Sequence, residues 1–147
     1  MRPFSLDVAV NAGSTHVVAD VVGYFAAGTG PGMGIALSPR RLLDTRSTND
    51  ALSYTKSATL VVTGLDVPAS AAAVMLNVTV TEPTSAGFVT VWPAGEPKPL
   101  ASALNFVTNQ TVPNLVLAKV GAGGAVQLYT HSPSAHLVVD LVGYFSG

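Results

Sequence analysis

Apolar and polar residues alternate most regularly between residues 73 and 93. In "AVMLNVTVT" at 73–81, one face is entirely apolar and the other is mainly polar. A period of two residues is the pattern of a half-buried β-strand. The segment "GFVTVWP" at 87–93 follows the turn-forming residues "EPTSAG" and has the same character. We therefore predict a β-hairpin over 73–93, with a long connection between its strands.

Eight further segments have strand character. They are residues 5–10, 15–25, 41–45, 57–63, 103–107, 114–120, 125–131 and 135–145. Breakers separate them, and the 14 Gly and 10 Pro residues are spread too evenly for a long helix. This pattern predicts an all-β fold, an antiparallel β-sandwich of about ten short strands. A β-trefoil or another closed β-barrel is the alternative, since the length also suits it.

The chain contains one internal repeat. Residues 8–25, "VAVNAGSTHVVADVVGYF", align without a gap with residues 128–145, "LYTHSPSAHLVVDLVGYF". The aligned pairs include His16 and His136, Asp20 and Asp140, and Tyr24 and Tyr144. A period of this length suits a whole domain rather than a solenoid.

This period divides the chain into three parts. We predict that residues 1–27 are the C-terminal strands of a preceding repeat, 28–35 a Gly/Pro linker, and 36–147 a complete β repeat domain. A short apolar segment with strand signals has edges that need a partner. We expect residues 1–27 to pack on the complete domain in a monomer, and to exchange with another copy in an assembly.

Composition narrows the class of partner. Hydrophobic residues make up 48% of the chain and charged residues 10%, against roughly 25% charged in ordinary soluble domains, which disfavours disorder. The formal net charge is −1 and the basic residues are scattered, so we expect no nucleic acid. The most apolar stretches are short and interrupted by polar residues, so we expect no membrane insertion. The first ten residues lack a signal-peptide core, so an exported protein would contain this chain as a mature or excised part.

Several motifs follow one another in order from residue 41 to residue 145. They are "RLLDTR" at 41–46, "LNVTVTEPTSAGFVTVWP" at 76–93, "LNF" at 104–106, "QTVPNLV" at 110–116, "GAGGAVQLY" at 121–129 and "HLVVDLVGYF" at 136–145. With these motifs the chain resembles the tandem repeats of secreted and cell-surface proteins of actinobacteria. The resemblance implies export, a multidomain parent and a non-catalytic accessory role, often beside a hydrolase. It implies no defined ligand.

One departure from that family concerns cysteine. Many members carry one Cys after the "TVxP" proline and another before "LY", where this chain has Ala94 and Gln127. The disulfide that the resemblance implies is therefore absent, and packing has to stabilise the domain.

His136 and Asp140 look like a catalytic pair. On one strand, residues four apart share a face but lie ~13 Å apart, beyond hydrogen-bond reach. We interpret them, and their counterparts in the repeat, as structural residues whose polar groups find partners within an apolar strand. The structural set is His16, Asp20, Tyr24, His136, Asp140 and Tyr144. A metal or sugar site built with neighbouring strands is the alternative.

Asp44 and Arg46 follow an apolar pair in the first motif. An arginine fork suits a carboxylate or a pair of sugar hydroxyls, so both residues are ligand-binding candidates. In the structural interpretation, which we favour, Asp44 braces a turn and Arg46 pairs with Asp140 or Asp20 across strands.

The sequence supports no catalytic or metal site. It has no cysteine and no G-x-S-x-G elbow, and its two glutamates lie in proline-rich turns. Its three histidines lack the spacing of metal ligands, and its aspartates form no calcium loop. We predict no catalytic residue, no metal and no cofactor.

Aromatic residues are the remaining candidates, because sugar-binding faces stack pyranose rings on exposed aromatic side chains. Trp92, Tyr54 and Tyr129 are the ligand-binding candidates of this type. Trp92 precedes a proline at the end of a strand, and we expect its ring to be partly exposed.

These features predict a non-catalytic extracellular module, secreted or on the cell surface, that displays or anchors a larger protein. Cell-wall or environmental polysaccharide is the expected partner. The alternative is a purely structural spacer or fibre-forming subunit, which associates with neighbouring copies of the repeat through strand exchange.

Overall fold

A computed structural model describes residues 12–14, 16 and 31–147 of the chain. The strands of this described part are β1 (Gly34–Asp44), β2 (Ser57–Val61), β3 (Ala73–Thr81), β4 (Gly87–Pro93), β5 (Leu104–Phe106), β6 (Val112–Lys119), β7 (Ala125–Thr130) and β8 (His136–Phe145). A single 3-10 turn at Ala122–Gly124 precedes β7.

The strands form two antiparallel sheets of four strands each. The first sheet has the order β1-β8-β3-β6, and the second has the order β2-β7-β4-β5. A shared core of buried side chains from both sheets lies between them. The predicted antiparallel β-sandwich is confirmed, and the described residues form no closed barrel.

The alternation predicted for residues 73–81 is confirmed in β3, which lies inside the first sheet. Its four inward side chains have no exposed surface: Val74, Leu76, Val78 and Val80. In the ladder with β8, Leu76 lies opposite Leu141, Val78 opposite Val139 and Val80 opposite Leu137, and these β8 side chains also point inward. Each such side chain contributes about 1.5–3 kcal/mol when fully buried, so this pair of central strands forms the middle of the core.

Eight of the ten predicted strands correspond to β1–β8. The other two, at 5–10 and 15–25, lie outside the described residues apart from His16, and so does most of the predicted tail at 1–27. β1 begins at Gly34, seven residues before the strand predicted at 41–45, and it includes the last two residues of the range predicted as a linker. Its ladder with β8 shifts register between Ala36 and Arg40, where Pro39 has no N–H to donate.

The predicted hairpin over 73–93 is wrong. β3 belongs to the first sheet and β4 to the second, so the connection between them crosses from one sheet to the other. Glu82 turns the chain with a φ of 54°, and the carbonyl of Pro83 accepts a hydrogen bond from Asn109 N. Alternation along a strand shows which face is buried, but it does not identify the neighbouring strand.

Candidate functional site

Four aromatic side chains meet on the outer face of the second sheet. Phe88 comes from β4 and Tyr129 from β7, the central strands of that sheet, and His131 directly follows β7. Tyr54 comes from the segment that precedes β2. We call these four residues the aromatic patch.

His131 is the centre of the aromatic patch. Its ring is stacked on Phe88, with 5.0 Å between centroids and an interplanar angle of 12°. The rings of Tyr54 and Tyr129 each lie 6.4 Å from it. The Tyr129 hydroxyl and His131 Nδ1 are hydrogen-bonded at 3.2 Å. Because His131 is exposed and Tyr54 is 54% exposed, the patch presents ring surface and polar edges together.

Backbone contacts position Tyr54 within the patch. Leu52 is buried and exchanges backbone hydrogen bonds with Ala135. Two residues later, Tyr54 N donates to the carbonyl of Ser132 at 2.9 Å. These contacts anchor the segment beside the end of β7, so the exposed tyrosine ring needs no packing of its own to stay near His131.

Gly87 allows β4 to approach His131. His131 N donates to the carbonyl of Phe88 at 2.8 Å, which brings the two backbones together. A Cβ atom at Gly87 would lie 1.9 Å from the carbonyl oxygen of His131. No side chain fits at that distance, so the glycine is required for the stacked arrangement of Phe88 and His131.

The connection between β4 and β5 crosses the same outer face. Lys98, in this connection, places its Nζ 3.5 Å from the centroid of the Tyr129 ring, which is a cation–π contact. Thr90 lies directly opposite Tyr129 in the ladder and is 1% exposed, and its hydroxyl has no hydrogen-bond partner in the described part of the chain.

Trp92 corrects an expectation from the sequence. Its ring was predicted to be partly exposed, but the residue is 9% exposed. Its Nε1 donates to the carbonyl of Glu96 at 3.0 Å, because the β4–β5 connection folds back over it. The ring therefore supports the connection and is not a ligand-binding surface in this conformation.

Asp44 and Arg46 lie on the other sheet, at the end of β1. With Arg41 of β1 and Asp140 of β8 they form a cluster that we call the polar brace. Arg41 holds Asp140 by two hydrogen bonds of 2.8 and 3.1 Å, and Arg46 holds Asp44 by two of 2.9 and 2.7 Å. Arg41 also reaches Asp44 at 3.3 Å. Every charge in the brace therefore has an opposite charge beside it.

The predicted pairing of Arg46 with Asp140 is wrong. Arg41 takes that place because it lies opposite Asp140 in the β1–β8 ladder. The other partner considered for Arg46, Asp20, lies outside the described residues. Asp44 does brace a turn, since its Oδ1 accepts from the backbone N of Arg46 at 3.1 Å.

The polar brace also changes the acidity of Asp44. Hydrogen bonds from the Arg46 guanidinium, aided by its backbone N–H and opposed by burial, lower the pKa of Asp44 to about 2. The side chain is 18% exposed. A carboxylate held in this way stays ionised across neutral and moderately acid pH, and its oxygens are already occupied by arginine.

The His–Asp pair of β8 has separate partners. His136 Nδ1 lies 3.0 Å from the hydroxyl of Thr45, and that hydroxyl accepts a hydrogen bond from Leu137 N, also at 3.0 Å. Asp140 instead binds Arg41. The two residues therefore do not act on each other.

The other residues predicted to be structural are Tyr144, His16, Asp20 and Tyr24. Tyr144 is partly buried and packs against the core, and His16 is exposed. Asp20 and Tyr24 lie outside the described residues.

Comparison with protein-family models gives no match, and comparison with curated proteins gives none either. No helix in the described ranges is long and apolar enough to cross a membrane. Among the same residues, no three histidine, aspartate or glutamate side chains come together as metal ligands.

Sequence reasoning found two members of the aromatic patch, Tyr54 and Tyr129. It missed the other two members, Phe88 and His131, and it missed Lys98, which contacts the patch. A signal for two of them was present, because Phe88 shares a strand face with Trp92, and His131 shares one with Tyr129. Lys98 gave no signal, since nothing in a proline-rich connection indicates which sheet face it will cross.

Proposed function

We propose that this protein is a non-catalytic extracellular module, repeated in tandem, that anchors a surface or secreted protein to polysaccharide through the aromatic patch. The observation that carries the proposal is the cluster of Tyr54, Phe88, Tyr129 and His131, which combines exposed ring surface with hydrogen-bonding edges. The motifs that resemble actinobacterial surface repeats support the tandem and extracellular parts of the proposal.

The chemistry of the aromatic patch suits a sugar. The C–H groups of a pyranose ring carry partial positive charge and pack against the negative face of an aromatic ring, while its hydroxyls need partners at the ring edge. Tyr54 offers an exposed ring, and the imidazole of His131 and the hydroxyl of Tyr129 offer polar atoms beside it.

The internal repeat provides a second argument. The structural residues of β8 recur in the partial copy, but the residues aligned with Tyr129 and His131 are Ala9 and Asn11. Residues that build the sheet are thus shared by the two copies, whereas those that form the aromatic patch differ. The side chains of Tyr129 and His131 are therefore not part of the strand pattern that the two copies share, so they can be exchanged in a test of binding.

The test is retention on insoluble peptidoglycan, chitin and cellulose. The informative variant is Tyr129→Ala/His131→Asn, because it installs the residues that the chain itself carries at the aligned positions. We expect it to fold and to lose retention, and we expect Tyr54→Ala to weaken retention. Leu65→Ala, at a residue that is 86% exposed, is the matched control and should bind like the unaltered chain. Equal retention of all variants would contradict the proposal.

The alternative function, a structural subunit that associates with other copies, has its own supporting observation. β6 is the edge strand of the first sheet, and no described strand pairs with its second edge. Leu115 and Leu117 of this strand are 63% and 37% exposed, and with Met75 and Phe145 they line an apolar groove. An apolar edge strand of this kind is suited to strand addition by a second copy.

Sedimentation at increasing protein concentration tests the alternative. If copies associate through β6, the mass should rise with concentration, and Leu115→Lys should abolish the rise. Leu100→Lys, at a fully exposed leucine outside β6, should leave it unchanged and serves as the control. A single monomeric species at all concentrations would exclude association through this strand.

A further inference from the structure

Lys98 covers the ring of Tyr129, the aromatic residue of β7. Its Nζ lies 3.5 Å from the centroid of the Tyr129 ring, over the ring itself rather than at its edge. A sugar cannot lie flat on the part of the ring that the ammonium group occupies. A ligand that stacks on this ring therefore has to displace Lys98. Its affinity depends on the interaction with the ammonium group that replaces the lost cation–π contact.

The charge of Lys98 has no acidic partner in the part of the chain that the structure describes. Lys56, on the segment that carries Tyr54, is paired with Asp50. Glu96, two residues before Lys98, lines a different pocket together with Lys119 of β6. Lys98 is thus a cation in contact with the aromatic patch, and its charge is available to a ligand.

We propose that Lys98 makes the aromatic patch selective for saccharides that carry a carboxylate, such as uronic acid polymers. This inference rests on the proposed function, since it assumes that the patch binds sugar. A carboxylated sugar draws the ammonium from the ring into an ion pair, and its pyranose ring packs on the exposed Tyr129 face. A neutral sugar has to break the cation–π contact without an equivalent replacement.

Lys98 should strengthen the binding of acidic saccharides and weaken the binding of neutral ones. Truncation of its side chain to alanine tests both effects. In Lys98→Ala the ion pair with a carboxylate is lost, so an acidic saccharide should bind more weakly. The same truncation uncovers the Tyr129 ring, so a neutral saccharide should bind more tightly. Each change should be about two- to fivefold, the size expected for an exposed ion pair and an exposed cation–π contact.

The experiment uses one oligosaccharide in two forms, oligogalacturonate with free carboxylates and the same oligomer with methyl-esterified carboxylates. Affinities are measured by calorimetry. The unaltered protein should prefer the free acid, and high salt should reduce that preference because exposed charges are screened. Lys98→Ala should reverse the preference, Lys98→Arg should retain it, and Lys119→Ala, a lysine outside the aromatic patch, should leave it unchanged.

The outcomes separate this inference from the proposed function. If both forms bind equally, or if Lys98→Ala weakens both alike, the selectivity is refuted while saccharide binding stands. If neither form binds and retention on the insoluble polymers is also absent, the proposed function fails and the inference fails with it. Thermal unfolding of each lysine variant checks that the fold is unchanged.

Discussion

On the outer face of the first sheet, Arg41 and Asp140 hold each other across β1 and β8, and Asp44 is held by Arg46. On the outer face of the second sheet, by contrast, Lys98 lies over the ring of Tyr129, and His131 is exposed among the other three aromatic side chains of the patch. Both faces carry charged or titratable side chains. On the first face these groups bind each other, so they stabilise the sheet, and on the second they remain accessible to a ligand.

The internal repeat agrees with this difference. The copy at 8–25 retains the histidine, aspartate and tyrosine of β8, and it differs at the two aligned positions of the aromatic patch. These shared positions thus lie on β8 of the first sheet, and the two positions that differ belong to the aromatic patch of the second.

The largest expected effect comes from disrupting the backbone contact that supports the aromatic patch. Gly87→Ala places a Cβ atom where the carbonyl oxygen of His131 lies 1.9 Å away, so β4 and the end of β7 must separate. Overpacking of this kind costs about 1–3 kcal/mol of unfolding free energy, and contact with backbone puts this case near the upper end. Urea unfolding should show the loss, and polysaccharide retention should disappear.

The neighbouring substitution Ala86→Val is the control for this experiment. Ala86 is exposed, so a larger side chain there has room and should change neither property. Normal stability of Gly87→Ala would show that the close approach of the two backbones is not needed.

A smaller effect comes from removing a buried acceptor from the first sheet. Thr45 is 3% exposed, and its hydroxyl accepts from Leu137 N at 3.0 Å. Thr45→Val keeps the shape but leaves that N–H unpaired and removes the hydroxyl from His136 Nδ1, and a buried group left unpaired costs about 1–3 kcal/mol. We expect lower stability with unchanged saccharide binding, measured by urea unfolding and calorimetry.

Thr130→Val is the matched control for Thr45→Val. Thr130 has no exposed surface, and its hydroxyl has no partner among the described residues. Removing it should therefore leave stability unchanged or raise it by up to about 1 kcal/mol. If both threonine variants lost stability equally, the hydrogen bond to Leu137 would not be the reason.

The sequence predicted the inward faces of the strands well, because alternation such as that at 73–81 reports burial directly. It did not predict which strands are neighbours, and so the hairpin at 73–93 was wrong. The same limit applies to the site. Arg41 and Asp140 meet through the β1–β8 register, and Trp92 is buried by a connection that folds back over it. Both are long-range arrangements that no local pattern contains.

The smallest expected effect is the pH dependence of stability that Asp44 of the polar brace causes. The pKa of Asp44 is lowered to about 2, chiefly by the hydrogen bonds from Arg46, from an ordinary value of 3.8. The unfolded chain binds a proton at this carboxylate more readily than the folded chain does, so stability rises with pH across this interval. The contribution of Asp44 is therefore complete above about pH 4 and is lost as the pH falls towards about 2.

Asp44→Asn should consequently be less stable than the unaltered protein at pH 6, and the difference should shrink as the pH falls from about 4 to about 2. Arg46→Gln removes the main cause of the lowered pKa, so introducing Asp44→Asn into that variant should have a much smaller pH-dependent effect. Urea midpoints measured at each pH test this, and added salt should reduce the difference because the pair is near the surface. A difference that stays constant from pH 6 to pH 2 would mean that Asp44 stabilises the turn by its shape and not by its charge.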